Sequence, residues 1–185
     1  MKAGVLALQG DFREHAQMLA LCDATPVLVR TPEELAGVDC LCIPGGESTT
    51  IAKVALSHGL VEPIRDRASH GMPVFGTCAG MILLAKQIDG GEPLLALLDI
   101  EVLRNAYGRQ VDSFEADVDV KGIGQVRGVF IRAPQVSRVG ARVEILAEHD
   151  GVPVLVQQDN LLASCFHPEM AGDPRLHERL LTLAN

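Results

Sequence analysis

Aromatic residues are scarce in this chain: five Phe, one Tyr and no Trp make up 3% of its 185 residues. The core must therefore be aliphatic, and a base-stacking platform for single-stranded nucleic acid, which needs aromatic rings, is excluded. Positive charge is short as well. Lys plus Arg number 16 against 24 Asp plus Glu, giving a net charge of −8 and a pI of about 5.2. The chain therefore has no general attraction to phosphate backbones or anionic lipid; a local basic patch is left open, although no block of Lys or Arg occurs. No apolar run approaches the ~18 residues of a membrane span. The apolar start at residues 3–8 is too short for a signal peptide, and Gln9-Gly10-Asp11 follows it instead of a small-residue cleavage site. A cytoplasmic protein with neither nucleic acid nor membrane as a partner is expected.

Paired cysteines are missing too. Cys22, Cys40, Cys42, Cys78 and Cys165 are odd in number and contain no CxxC, which argues against a disulfide framework or a zinc ribbon. No standard ligand spacing links Cys78, Cys165 and His167, so no metal is expected, and no cofactor. Internal repeats, low-complexity stretches and linkers are absent. What is present is 48% apolar and 22% charged residues over a length suited to one domain, 1–185.

The first half alternates strand and helix signals. Strands are expected at 4–8, 26–29, 40–43 and 72–75, and helices at 11–22, from Thr31 as a short helix, and at 49–57, 61–69 and 79–88. Asp11 and Glu14 form a capping pattern, and Thr31-Pro32-Glu33-Glu34 reads as N-cap, first-turn proline and N3 acid. The second half is strand-rich, at 100–104, 114–120, 126–132, 143–148, 152–157 and 161–166, with turns at Asp150-Gly151 and Asp159-Asn160. A helix over 174–183 follows. The predicted fold class is α/β: a three-layer open mixed sheet, mainly parallel, with an antiparallel extension. Ligands in such sheets collect at the carboxyl ends of strands, which singles out the loops at 9–10, 44–48 and 76–80.

Gly76-Thr77-Cys78-Ala79-Gly80 joins an apolar strand to an apolar helix and has the G-x-C-x-G form of a nucleophile elbow. Its glycines leave room for close backbone approach, and the helix N-terminus favours a thiolate and offers N–H groups to an oxyanion. Ala79 N–H is the expected donor. A buried structural cysteine at a tight turn is the plainer alternative. Of six histidines, His15, His58, His70 and His177 fall on or just after helices and read as solvated, and His149 before its turn reads as exposed. His167 ends a strand on the same rim as Cys78, and Glu169 stands two residues on, placed to orient it as a triad. Gly45-Gly46-Glu47-Ser48 is open to two readings: a turn with a helix N-cap at Ser48, or a loop aiming a second oxyanion donor. No GxxxxGK[ST] phosphate loop is present.

These residues together resemble the class I (triad) glutamine amidotransferases, and more closely the family of glutaminase subunits of pyridoxal 5′-phosphate synthase (the PdxT/SNO family). The motifs that carry the resemblance are residues 4–10, Pro44-Gly45-Gly46-Glu47-Ser48-Thr49-Thr50, Phe75-Gly76-Thr77-Cys78-Ala79-Gly80, Arg104-Asn105, residues 108–114, residues 129–134 and Phe166-His167-Pro168-Glu169. The resemblance implies a flavodoxin-like amidotransferase fold. It implies that Cys78 attacks the glutamine side-chain amide, His167 moves the proton and Glu169 orients His167. Gly46 and Ala79 would hold the oxyanion, and Gly46, Glu47, Ser48, Arg104, Ile131 and Arg132 would bind L-glutamine. It further implies a separate (β/α)₈-barrel synthase subunit as partner in a large hetero-oligomer, with Gln9 and Gly10 at the interface and activation switch. Two departures stand out: Tyr107 where Phe is common, and Cys165 two residues before His167, either a second reactive thiol or simply buried. A glutaminase serving another biosynthesis (histidine or nucleotide) and a non-catalytic regulatory domain are the alternatives.

Overall fold

Short apolar runs set the centre of the molecule. The computed structural model describes residues 1–104 and 113–184. Its first half runs β1 (Lys2–Leu6), α1 (Phe12–Leu21), β2 (Thr25–Val29), α2 (Pro32–Ala36), β3 (Cys40–Ile43), α3 (Ser48–Ser57), α4 (Val61–Ser69), β4 (Val74–Thr77), α5 (Ala79–Leu84) and β5 (Ala85–Ile88). The second half runs β6 (Leu98–Leu103), β7 (Phe114–Val120), β8 (Gly124–Phe130), β9 (Gln135–Val139), β10 (Glu144–His149), β11 (Val152–Gln158), β12 (Leu161–Ser164), a 3₁₀ turn at Glu169–Ala171 and α6 (Arg175–Leu183).

The main sheet has the order β10-β11-β12-β4-β3-β1-β2. Strands β12, β4, β3, β1 and β2 are parallel, and β10 and β11 extend them antiparallel. Asp150 (φ 51°) and Gly151 (φ 76°) sit between β10 and β11, the two positive φ values that a type I′ hairpin turn needs. Two smaller sheets, β5-β6-β9 and β7-β8, complete the described residues.

Strand β4 shows why both faces of the main sheet are covered. Its side chains alternate between faces. The Phe75 ring packs 5.5 Å from His177 of α6 and 6.3 Å from His15 of α1. On the opposite face, a Cβ on Gly76 would lie 2.6 Å from the Gly80 backbone and 2.8 Å from Leu84, both on α5. Helices therefore sandwich a sheet whose residues, such as Val5, Leu41, Ile43, Val74 and Leu162, are fully buried. The core is mainly aliphatic, with the Phe75, Phe130 and Phe166 rings fully buried in it. No helix among the described residues is long and apolar enough to cross a membrane.

Local signals decide several boundaries. Thr31 forms the predicted capping box: Glu34 N–H donates to Thr31 Oγ1 (3.3 Å) and Thr31 N–H to Glu34 Oε2 (3.0 Å). Three expectations need correction. The helix over 79–88 stops at Leu84, and Ala85–Ile88 turns into β5, which pairs with β6. Strand β9, unforeseen, pairs antiparallel with β6. The N-cap of α3 is Glu47, not Ser48; its carboxylate accepts from Thr49 N (3.1 Å) and Thr50 N (2.7 Å).

Candidate active site

The site lies at the carboxyl ends of four neighbouring parallel strands, β12, β4, β3 and β1. Strand β4 delivers Cys78 through a strained turn, with φ 47° and ψ −101° at the cysteine itself, a conformation costly for a non-glycine residue. Close packing holds the turn. Cys78 N–H donates to Ser164 O of β12 (2.8 Å), and a Cβ on Gly80 would lie 2.2 Å from Ile43 O of β3. The elbow is thus wedged between its two neighbouring strands, with Ala79 N–H among the first N–H groups of α5, which have no carbonyl one turn back. The Cys78 thiol is 3.9 Å from Ile131 O.

His167 comes from the strand next door. Its N–H donates to Val129 O of β8 (2.9 Å), which pins the residue just beyond β12. Its Nδ1 lies 2.7 Å from Glu169 Oε1 and 2.8 Å from Asp11 Oδ2. Carboxylate oxygens accept, so Nδ1 carries the proton and Nε2 is left for the thiol. Burial of the imidazole opposes its charge. Hydrogen bonds to Asp11, Cys78 and Glu169 outweigh that and hold its pKa well above the ordinary histidine value. Burial likewise pushes Asp11 up, but its hydrogen bond from His167 and the charge on His167 bring it well below the usual carboxylate range.

The other four cysteines are held inert by their surroundings. Burial pushes the Cys22 thiol up to about 11 and Cys40 up to about 12, and raises Cys42 and Cys165 well above the ordinary thiol value. Those thiols stay protonated and unreactive at neutral pH. Cys165 is buried, its thiol 3.6 Å from Met81 Sδ and 3.8 Å from Pro153 O, so of the two readings of this residue the packed one holds.

Next to the elbow, one cleft is lined by Gly46, Glu47, Ser48, Cys78, Ala79, Ile82, Arg104, Ile131 and Arg132. The predicted oxyanion and glutamine-binding residues are all among them. Arg104 donates to Ser48 Oγ (3.0 Å) and Thr49 Oγ1 (3.1 Å), which ties the end of β6 to the start of α3. Glu47, held by its cap and chiefly by the Thr50 hydroxyl, has a pKa lowered to about 2 and remains an anion. Gln9 and Gly10 support the glycine loop from β1. Gln9 Oε1 accepts Glu47 N–H (2.7 Å), and a Cβ on Gly10 (φ 96°) would overlap Gly45 O. An adjoining cleft contains Gln9, Asp11, Gly45, Cys78, His167 and Met170. Asn105, Tyr107 and the motif residues at 108–112 lie outside the described residues.

The structure also corrects the histidines. His15 and His177 are fully buried rather than solvated, whereas His58 and His70 are exposed. His15 Nδ1 is 2.9 Å from His177 Nε2, and His15 Nε2 is 3.1 Å from Thr77 Oγ1 and 3.5 Å from Glu169 Oε1. His149 is half-buried, stacked on Phe114 and Phe130 with centroids 5.4 and 5.6 Å away. Sequence reasoning missed Asp11, His15, Gly45, Ile82 and Met170 as parts of the site. Asp11 had a signal, one residue past a strand-end loop already singled out. Its capping pattern pointed instead to α1, yet its side chain makes no cap hydrogen bond there.

A three-layer sheet with a cysteine elbow, a histidine on the adjoining strand and a carboxylate behind it defines an amidotransferase-type site. The chain matches the SNO glutamine amidotransferase family over residues 5–183, and it belongs to that family. It is 59% identical over 179 residues to the pyridoxal 5′-phosphate synthase subunit PdxT of Streptomyces avermitilis, covering 94% of this chain and 89% of that one. It is 54% identical to the PdxT subunit of Dehalococcoides mccartyi, covering 100% and 97%. A crystal structure of a glutamine amidotransferase superposes with a TM-score of 0.95 at 52% identity, covering 98% of each chain. At 16% identity, the structure of PurLQS from Thermotoga maritima shares the fold, with a TM-score of 0.76.

Proposed function

We propose that the chain is the glutaminase subunit of a pyridoxal 5′-phosphate synthase, hydrolysing L-glutamine to glutamate and ammonia for a separate synthase subunit. The observation that carries the chemistry is Cys78 on a strained elbow beside His167, whose Nδ1 is engaged by carboxylate at 2.7 Å. The relatives named above carry the assignment to pyridoxal 5′-phosphate synthesis.

The proposed steps use this geometry. His167 Nε2 takes the Cys78 proton, and the resulting imidazolium is stabilised by carboxylate. The thiolate attacks the side-chain amide carbon, and Gly46 and Ala79 N–H groups receive the oxyanion. His167 then returns the proton to the leaving nitrogen, ammonia departs, and water resolves the thioester with His167 again as base. Arg104 or Arg132 in the cleft suits the substrate α-carboxylate, and the anionic Glu47 suits its ammonium group. The partner is a (β/α)₈-barrel synthase subunit in a large hetero-oligomer, docked over Gln9 and Gly10. We place the reaction in the cytoplasm, where the thiol stays reduced.

A glutaminase assay with and without the synthase subunit tests this reading. Stimulation by the pyridoxal-phosphate barrel, and loss of at least ~10³-fold of turnover in Cys78→Ala, are expected. Retained turnover in that variant sinks the mechanism. Stimulation only by a histidine or nucleotide synthase moves the protein to another pathway.

A further inference from the structure

Asp11 occupies the N-cap position of α1, where an aspartate ordinarily accepts a hydrogen bond from the first helical turn. Here its side chain makes no such bond. The carboxylate turns instead to His167 Nδ1, 2.8 Å away across 156 residues of sequence. Glu169 engages the same nitrogen at 2.7 Å, so two carboxylates converge on one N–H. A single carboxylate suffices to fix the tautomer. A second one mainly adds negative potential, which favours the charged ring.

We propose that Asp11 is a second carboxylate partner of His167, a positioning residue that engages the same Nδ1 as Glu169 and stabilises the imidazolium form of the ring. The proposal rests on the triad reading of Cys78 and His167 and adds a residue to it. The two carboxylates differ in surroundings. The Glu169 side chain is fully buried and also faces His15, whereas Asp11 keeps 17% exposure. The backbone fixes Asp11 in place, since its N–H donates to Gly45 O (3.4 Å). Gly45 in turn lets the ring approach, as a Cβ there would lie 2.2 Å from His167 Cε1.

The other charged or titratable groups facing His167 are few. Glu169 approaches from the 3₁₀ turn, His15 from α1 by way of Glu169, and Cys78 from the elbow. Glu47 and Arg132 line the same cleft from the loops after β3 and β8. Arg132 opposes an imidazolium and Glu47 is engaged in its helix cap, which leaves Asp11 and Glu169 as the carboxyl groups in direct contact with the ring.

The test is a pH titration of the His167 Cε1–H resonance in the full chain, with the signal assigned by its loss in His167→Gln. Asp11→Asn keeps the shape and removes the charge. Its His167 midpoint should fall by about one pH unit or more relative to the unmodified chain. With the synthase subunit present, kcat should fall while KM for glutamine holds. An unmoved midpoint in a variant that melts at the usual temperature overturns the proposal. Should Asp11→Asn fail to fold, Asp11→Ser, whose hydroxyl can cap α1, takes the same measurement. If neither folds, Asp11 is a structural residue and the proposal is lost. Iodoacetamide labelling of Cys78 separates this outcome from failure of the triad. Labelling that is indifferent to His167→Gln refutes the triad whatever Asp11 does.

Discussion

Gly45 leaves little room beside the base. A methyl group at this position would sit 2.2 Å from His167 Cε1 and 3.0 Å from Nδ1, so Gly45→Ala must move either the loop or the imidazole. Displacement of a catalytic group by about 1 Å can cost ~10²-fold in rate, and a loss of that order in kcat is expected with little change in melting temperature. Activity within twofold of the unmodified chain would show that the ring has slack. Glu47 makes a different prediction. Its folded pKa of about 2 lies below the ordinary value of 4.5, so its cap contributes stability that is present above pH 4.5 and lost as pH falls toward 2. Glu47→Ala should destabilise the chain by about 1 kcal/mol at pH 7, and by progressively less in denaturant melts between pH 4.5 and 3. A difference that persists undiminished at pH 3 argues against the charged cap.

At the level of elements, the elbow depends on how closely α5 approaches β3. Gly80 is a helical residue whose added Cβ would lie 2.2 Å from Ile43 O, a backbone atom inside the sheet. Gly80→Ala should therefore lower stability by about 1–3 kcal/mol, despite the better helix propensity of alanine, and an unchanged denaturation midpoint contradicts the packing. This strand–turn–helix was readable in the sequence because each level agreed: an apolar run, glycines at fixed spacing, then a helical run. The parallel core strands and the Thr31 capping box were readable for the same reason. The helix over 79–88 was misread at its end. Its apolar residues fit a helix up to Leu84, and the following Ala-Lys-Gln-Ile is ambiguous alone. Pairing of Ala85 with Leu98 and Ile88 with Val102 draws it into a strand, a tertiary choice with no local marker. Strand β9 was missed for a related reason, because a five-residue run with one buried residue, Val136, carries no clear alternation. His15 shows the same limit on a helix. It buries with Met18 and Leu19 on one face of α1, but a histidine reads as polar until a buried partner such as His177 is known.

For the whole molecule, two of the three buried histidines, His177 and His167, act on stability in opposite directions. Burial, with His15 adding to it, holds His177 well below 6.5, so the folded chain keeps it neutral. The unfolded chain takes up that proton below pH 6.5, so unfolding becomes easier as pH falls. His167 is raised, so its stabilising charge is complete below pH 6.5 and fades as pH climbs through the folded value. Stability should therefore peak near neutrality. Between pH 6.5 and 5, titration of the lowered carboxylates contributes little, and the slope belongs mainly to His177, at most about 1.4 kcal/mol per pH unit. His177→Gln keeps a hydrogen-bonding group opposite His15 Nδ1 and removes the proton uptake. Its unfolding free energy should run nearly flat over that interval while the unmodified chain slopes downward. Parallel slopes for the two proteins would place the acid sensitivity elsewhere in the fold.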